Sequence, residues 1–284
     1  MAGTLMKRAF PSAALAALLV AACSTAGTSL AKRVSMESRQ SLAAGDFQKA
    51  IDAYQEAFKR NPRDKELTAS YARTLEEVRR TADGALGRQD YERAGRIYRV
   101  LLNNYADYQT FAAALTFQKP YLEASLRSCR IALVDAQALK EMKAGNPAKA
   151  LELSSAILKE YPGGADATAN YLKLVQEIKV SADKAMADKD YVQAGKLYVL
   201  VLKSSPFFDG PPPIAALSRT DITGALAACR DVLTKSGLEE YRKGNLAKAI
   251  DVWEGLLSFD PENVEIKKAV QTAKTQLNEI IKKK

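Results

Sequence analysis

Apolar residues recur every three to four positions along most of this chain, which is the spacing of amphipathic α-helices. Four long stretches of this kind have no proline beyond their first position and run over 64–88, 120–143, 166–188 and 221–243. Each is followed by a short polar turn and a second amphipathic stretch, and a shorter pair precedes them. A final stretch over 263–283 has the same periodicity. The pattern predicts an all-α protein of helical hairpins, whose last helix covers the final apolar face.

One short pattern places the turn of every predicted hairpin. Glycine suits the left-handed residue that ends a first helix, Asn or Asp caps the second helix, and a small Ala one turn later permits close packing. The turns contain Gly45-Asp46, Asp90, Gly145-Asn146, Asp190 and Gly244-Asn245, and the alanines are Ala50, Ala94, Ala150, Ala194 and Ala249. Two of the long helices have recognisable starts, since Pro120 suits a first turn and Thr220-Asp221 suits a cap. Five hairpins are therefore expected.

The chain also matches itself when it is shifted by 100 residues. In this alignment Tyr71, Asp83, Tyr98 and Cys129 meet Tyr171, Asp183, Tyr198 and Cys229. The predicted copies span 30–129 and 130–229, and a partial third copy spans 230–284. Repetition at a fixed period is typical of stacked repeat proteins, in which each unit buries its apolar face against its neighbours.

The second helix of each predicted hairpin resembles the tetratricopeptide repeat. The resemblance rests on the turn residues, the alanines and the aromatic or apolar residue four positions later, such as Tyr54, Tyr98 and Trp253. It implies a right-handed α-solenoid of about five hairpins over 30–284, with lengthened first helices and a C-terminal capping helix. The chain departs from the family in spacing, because the alanines are 44, 56, 44 and 55 residues apart instead of about 34. The family's usual Trp in the first helix is also missing.

The N-terminal segment resembles a bacterial lipoprotein signal. Lys7 and Arg8 precede a ten-residue apolar run over 13–22, which is too short to span a bilayer. The segment 20–23 resembles a lipobox, which implies a signal peptide over 1–22, acylation of Cys23 and a short tether over 23–29. Ser24 follows where an Asp would imply retention at the inner membrane, so the resemblance favours the periplasmic face of the outer membrane. The alternative is an ordinary cleavage site with a chance cysteine.

The distribution of charge argues against nucleic-acid binding, and the positions of the cysteines argue against a disulfide. The chain has 42 Lys and Arg against 33 Asp and Glu, and loss of the signal peptide lowers the net charge from +9 to +7. The basic residues are dispersed except for lysines 282–284, so nucleic-acid binding is not expected. Cys129 and Cys229 occupy equivalent positions on the apolar stripes Leu126, Cys129, Leu133 and Leu226, Cys229, Leu233. They are expected to be buried thiols that are too far apart for a disulfide.

The chain lacks the residues that usually carry catalysis. It contains no histidine, no glycine-rich phosphate loop and no cysteine pair with zinc-ligand spacing. Its carboxylates lie one helical turn from Lys or Arg, as on ordinary helix surfaces. We therefore expect no enzymatic activity, no cofactor and no metal.

Two features remain as candidates for binding. By resemblance, the long first helices line a concave groove, and Arg79, Arg80 and Asp83 with their counterparts Lys179 and Asp183 are the candidate contacts there. The alternative for these residues is surface salt bridging. The second feature is a pair of long connections, 106–119 and 206–219, rich in aromatic residues or proline. They either bind a partner or pack over the ends of the long helices.

These inferences predict a protein-interaction scaffold of the cell envelope. By resemblance to lipoproteins of the same repeat family, the candidate machines are outer-membrane β-barrel assembly, pilus or secretin assembly, and regulation of peptidoglycan enzymes. Expected partners are peptide or helical segments of envelope proteins, and the membrane itself through the acyl chains. The alternative is a periplasmic carrier that holds a small molecule inside the solenoid. A large apolar pocket would favour the carrier, and an open polar groove would favour the scaffold.

Overall fold

The computed structural model describes residues 29–204 and 217–282, and these residues form helices and their connections, with no β-strand among them. The α-helices are α1 (Leu30–Ala43), α2 (Phe47–Arg60), α3 (Lys65–Gly87), α4 (Tyr91–Asn103), α5 (Tyr105–Tyr108), α6 (Lys119–Lys143), α7 (Pro147–Glu160), α8 (Ala165–Ala187), α9 (Tyr191–Lys203), α10 (Arg219–Arg242), α11 (Leu246–Leu257) and α12 (Val264–Lys282). A 3-10 helix, Gln109–Ala114, follows α5. The predicted signal peptide, Cys23 and most of the 206–219 connection lie outside the described residues.

The chain divides into two compact units, and the division falls within α6, between Arg130 and Ile131. In the first unit α1 to α4 pack in chain order, and α1 also contacts α3. In the second unit α7 to α12 pack in chain order, and α9 also contacts α11. This consecutive packing confirms the predicted all-α solenoid class. The handedness stays a prediction.

All five predicted hairpin turns form, and they share one backbone geometry. Each has a left-handed residue, with φ of 78° at Gly45, 80° at Gly145 and 82° at Gly244. The next residue donates its backbone N–H to a carbonyl five residues earlier, at 2.8–2.9 Å in every case. This bond is the Schellman closure of a helix C-terminus. The second and fourth turns have no glycine, and there Gln89 and Lys189 adopt the left-handed conformation with φ of 62° and 63°.

The Gln89→Gly variant is expected to raise the free energy of unfolding by about 0.5–1 kcal/mol, because a side chain disfavours left-handed φ. The equivalent turn supplies the control, since Gly145→Ala places a side chain at a φ of 80° and is expected to lower stability by about 1 kcal/mol. Urea denaturation of both variants measures the difference. A loss of stability in Gln89→Gly would contradict the strain at this turn.

The predicted caps are confirmed in part. The side chains of Asp46, Asp90 and Asp190 accept hydrogen bonds from backbone N–H groups three residues later, at 3.0–3.2 Å. Asn146 and Asn245 occupy the cap position but make no such bond, and their amides donate instead to Glu141 and Glu240. The prediction of a cap at Thr220-Asp221 was wrong, because Ser218 accepts from the N–H of Asp221 and starts α10 earlier.

The repeated small residues lie where the pattern places them. Ala50, Ala94, Ala150, Ala194 and Ala249 are all fully buried. Glycines serve the same purpose elsewhere, since a Cβ on Gly195 would lie 2.6 Å from the ring of Phe259. The alanines are therefore core residues, as the pattern predicts, and close helix contact at them stays a prediction. The lengths of the long helices, 23 to 25 residues, are as expected.

Aromatic side chains dominate the core of the first unit. The rings of Tyr54 and Tyr71 stack with centroids 5.1 Å apart, and Phe111 lies 5.3 Å from both Tyr71 and Phe58. Tyr108 is fully buried and donates its hydroxyl to the backbone oxygen of Leu101 at 2.8 Å. The 106–119 connection therefore supplies core residues, which is the packing alternative for this segment.

Cys129 and Cys229, the cysteines among the described residues, are free thiols and are buried, as predicted. Burial raises the pKa of each thiol. The expected stripe around Cys229 is buried throughout, with Leu226 and Leu233 at 4% and 8% exposure. The stripe around Cys129 was predicted wrongly at one position, because Leu133 is 42% exposed. Leu133 is three residues past the division of α6, in the second unit.

Candidate functional site

The first candidate contacts, Arg79 and Asp83, are joined in one polar cluster of the first unit. One oxygen of Asp83 accepts hydrogen bonds from the hydroxyls of Tyr98 and Tyr121, at 2.6 and 2.7 Å. The other oxygen pairs with the Arg79 guanidinium. Tyr98 lies on α4 and Tyr121 on α6, so a single carboxylate of α3 binds two other helices.

Glu76 extends this cluster to the connection before α6. Its carboxylate pairs with Arg79 at 3.1 Å and accepts from the backbone N–H of Thr116 at 2.5 Å and from the Thr116 hydroxyl at 2.7–2.8 Å. Burial by itself would raise the pKa of Glu76, but the hydrogen bonds from Thr116 and Arg79 outweigh it and lower the pKa. The cluster therefore keeps the Glu76 carboxylate charged where it binds Thr116 of the 106–119 connection.

The second unit repeats only part of this arrangement. Asp183 accepts from the Tyr198 hydroxyl at 2.8 Å and pairs with Lys179 at 2.7 Å. The sequence equivalents of Glu76 and Tyr121 are Gln176, which has no charge for an ion pair, and Asp221, which has no phenolic hydroxyl to donate. Burial, followed by the hydrogen bond to Asp183, raises the pKa of Tyr198, and the same causes act on Tyr98.

The five predicted contacts thus fall into three places. Arg79 pairs with Asp83, Lys179 pairs with Asp183, and Arg80 is exposed on α3. The side chains of Arg79 and Lys179 are only 19% and 26% exposed. Sequence reasoning found the two ion pairs, but it missed Glu76, Thr116 and Tyr121. The sequence offered one signal for the cluster: in both copies the Asp is followed fifteen residues later by a Tyr, as Asp83 by Tyr98 and Asp183 by Tyr198.

A second polar cluster occurs between α2 and the end of α4. The buried amide of Asn104 exchanges hydrogen bonds with Gln48 at 3.0 and 3.2 Å and accepts from Gln55 at 2.7 Å. Gln48 also donates to Asp52, and Gln55 also donates to Asp107. The side-chain amides of Gln48, Gln55 and Asn104 bind one another, so these hydrogen bonds join α2 to the residue between α4 and α5.

A groove of a different kind lies in the second unit between the end of α6 and α8; we call it the α6–α8 groove. Its lining consists of Met142, Lys143, Lys173, Gln176, Glu177, Val180 and Ser181. Val180 is 58% exposed and supplies an apolar surface within this lining. Lys143 and Lys173 are also exposed. The groove offers an apolar contact flanked by two cations.

A second cleft lies in the first unit, beside the turn between α1 and α2. Arg93, Arg96, Ile97 and Val100 of α4 line one side, and residues 44–48 line the other. Arg96 pairs with Glu92 at 3.1 Å on an exposed surface. None of the five predicted contacts lines either opening. Sequence reasoning missed both, because each opening is created by the packing of two helices that are distant in the chain.

Two further properties concern possible ligands. Within residues 29–204 and 217–282, no three His, Cys, Asp or Glu side chains are grouped so that they could hold a metal ion. The helices of the same residues include none that is long and apolar enough to cross a membrane.

No protein-family model matches the chain, and no curated protein matches it. Among solved structures, the chain is similar to one described as "Circular tandem repeat protein with novel repeat topology and enhanced subunit contact surfaces". The identity is 13%, the match covers 89% of this chain, and the TM-score is 0.21. The chain spans 63% of the length of that structure's chain. A likeness with so low a TM-score does not support a fold assignment. The assignment rests instead on the helices of this chain and their packing.

Proposed function

We propose that this chain is a non-enzymatic interaction scaffold of the cell envelope, of the tetratricopeptide-like class, that holds a peptide or helical segment of a partner protein. The observation that supports the proposal most is the α6–α8 groove, whose lining contains Val180, 58% exposed, together with Lys143 and Lys173. Grooves between helices bind such segments by burying an apolar anchor, while surrounding charges set orientation and specificity.

The chemistry of the groove defines the expected partner. An apolar side chain would cover Val180 and Met142, and an acidic residue beside it would pair with Lys143 or Lys173. Glu177 lies in the same lining and would disfavour a second acidic residue close by. The proposed ligand is therefore a short amphipathic segment with few negative charges, held mainly by apolar contact.

The proposal places the scaffold at the periplasmic face of the outer membrane, anchored by acylation of Cys23. The support is the lipobox-like segment before Cys23 and the short apolar run that precedes it. Two or more acyl chains give stable anchoring, whereas one chain binds a membrane only marginally. Machines of β-barrel assembly, of pilus or secretin assembly, or of peptidoglycan-enzyme regulation are the proposed setting.

A photo-reactive amino acid at position 180, introduced in the producing cell, is expected to cross-link a defined envelope protein. The matched control is position 264, because Val264 is 59% exposed and lies on α12, outside the groove. Val180→Asp is expected to abolish capture of the same partner, and Val264→Asp is expected to leave it unchanged. Cross-linking of the same proteins from both positions would contradict the groove as the binding site.

The anchor is tested separately. Metabolic palmitate labelling is expected to mark the wild-type chain and to disappear in Cys23→Ser, which should fractionate away from the outer membrane. Labelling that persists in the variant would overturn the anchor while leaving the groove experiment valid.

A further inference from the structure

The cleft beside the α1–α2 turn, which we call the α2–α4 cleft, is lined by residues 44–48, Arg93, Arg96, Ile97 and Val100. Its volume is about 480 Å³, a size typical of binding sites in proteins. Its apolar residues are recessed, because Ile97 is 2% exposed and Phe47 and Val100 are partly buried against the same core. An apolar side chain that entered the cleft would therefore find apolar contacts there.

Two arginines of α4 lie beside this apolar lining. Arg93 and Arg96 are three residues apart, so they are neighbours on one side of the helix, and both are exposed. Among the residues that the structure describes, no carboxylate pairs with Arg93. Arg96 pairs with Glu92 at 3.1 Å through one guanidinium nitrogen, but these side chains are 67% and 72% exposed, so the pair is weak. Both guanidinium groups therefore have N–H donors to offer a ligand.

The acidic residue of the lining, Asp46, already serves as a helix cap. Its side chain accepts a hydrogen bond from the backbone N–H of Lys49 at 3.0 Å. Asp46 belongs to the side of the cleft formed by residues 44–48, and the arginines belong to the side formed by α4. A ligand carboxylate is therefore expected at the two arginines and not at the N-terminus of α2, where Asp46 would repel it.

The second copy of the repeat does not have the same combination of residues. Its equivalents of Arg93 and Arg96 are Gln193 and Lys196, and proline replaces Phe47. A lysine is a single point charge, whereas an arginine can bind a carboxylate through two parallel N–H bonds. Two guanidinium groups beside an aromatic residue therefore occur at this position only in the first copy.

We propose that the α2–α4 cleft binds an acidic segment of a partner protein. Carboxylates of the segment pair with Arg93 and Arg96, and an apolar side chain beside them contacts Phe47 and Val100. Exposed ion pairs are weak one at a time, so the ligand needs several carboxylates together with an apolar anchor, and a polypeptide segment has both. A membrane surface is a poor match, because the recessed apolar residues cannot reach the acyl chains. The acidic ligand differs from the one proposed for the α6–α8 groove, so this proposal is independent of that one.

The experiment selects peptides of about twelve residues from a random display library on the immobilised full 284-residue chain at low salt. The selected peptides are expected to be rich in acidic residues next to a large apolar residue, and their binding is expected to weaken with added salt. Arg93→Gln with Arg96→Gln is expected to weaken binding of the strongest peptide, made synthetically, at least about tenfold, since each exposed ion pair contributes up to about fivefold.

A matched control removes two arginines from the same unit but outside the cleft. Arg33 and Arg39 are exposed on α1, and their replacement by Gln is expected to change peptide binding less than about threefold. Circular dichroism is expected to give the same melting curve for both double variants, because all four arginines are exposed. Val180→Asp is expected to leave binding of the acidic peptide unchanged, which separates this site from the α6–α8 groove.

Four results would overturn the proposal. The first is a set of selected peptides with no excess of acidic residues, and the second is an equal loss of binding in the α1 control. The third is loss of binding in Val180→Asp, which would assign the peptide to the α6–α8 groove. The fourth is a change in the sedimentation of the Arg93 and Arg96 variant without peptide, which would assign the cleft to contact with a second copy of the chain.

Discussion

Gly237→Ala is expected to lower the free energy of unfolding by about 2–3 kcal/mol, a large effect for one methyl group. A Cβ at position 237 would lie 2.2 Å from the indole nitrogen of Trp253 and 2.5–2.6 Å from two ring carbons. Trp253 is 3% exposed and donates that nitrogen's hydrogen to the backbone oxygen of Thr234 at 3.4 Å. The rigid ring cannot move aside, so α10 and α11 must separate, and overpacking of this kind costs about 1–3 kcal/mol or more.

The same helix supplies the control for this variant. Gly224 also lies within α10, and no heavy atom lies within 4 Å of a Cβ built there. Gly224→Ala is therefore expected to stabilise the protein by about 0.5–1 kcal/mol through helix propensity alone. Guanidinium denaturation of the two variants should show opposite shifts of the midpoint. A similar shift in both would mean that Trp253 does not pack against position 237.

Asp83→Ala is expected to lower the free energy of unfolding by about 2–4 kcal/mol. The change leaves the hydroxyl of Tyr98, a fully buried side chain, without its acceptor, and it also removes the partner of Tyr121 and Arg79. Unpaired buried polar groups cost about 1–3 kcal/mol each. The side chain of Asp83 is 31% exposed, so water can replace part of the lost bonding and the cost stays below the sum.

The equivalent change in the second copy, Asp183→Ala, is expected to cost only about 1–2 kcal/mol. Asp183 is 45% exposed and has two partners, Tyr198 and Lys179. The two variants are compared by urea denaturation, and a double-mutant cycle with Tyr121→Phe is expected to show coupling with Asp83. Equal losses at Asp83 and Asp183, or no coupling to Tyr121, would contradict the role assigned to the larger cluster.

Local signals in the sequence were sufficient for the helices, because their causes lie within a few residues. Gly45, Gly145 and Gly244 end their helices in the left-handed conformation that the turn pattern requires. Glycine is not essential to the turn, because Gln89 and Lys189 adopt the same left-handed conformation in the second and fourth turns. The cap of α10 was misplaced because Ser218, Thr220 and Asp221 are all good caps in sequence, and in the structure the Ser218 side chain makes the capping bond.

The candidate site was predictable only for residues that lie close together in sequence or recur when the chain is aligned with itself. The pairs Arg79–Asp83 and Lys179–Asp183 lie one helical turn apart, so sequence spacing alone brings them together. Tyr121 and Thr116 are 38 and 40 residues from the carboxylates they bind, and no periodicity links them. The α6–α8 groove was missed for the same reason, since its two sides lie about 30 residues apart in the chain.

By itself the sequence determined the long helices and their hairpin partners, where they turn and which small residues are buried in them, because hydrophobic periodicity, capping and backbone conformation act over a few residues. It did not indicate the short α5 and the 3-10 helix, which lie in the segment predicted as a connection. Only the tertiary structure decided which polar side chains pair with one another and which surfaces stay exposed. Asp83 and Asp183 look alike in the repeat, yet one carboxylate binds three side chains and the other binds two. Arg80 and Val180 are likewise equivalent in sequence, but packing of α8 against the end of α6 places Val180 in a groove. Such differences arise because a long-range contact depends on every side chain that meets there. No single segment of the chain contains all of these side chains.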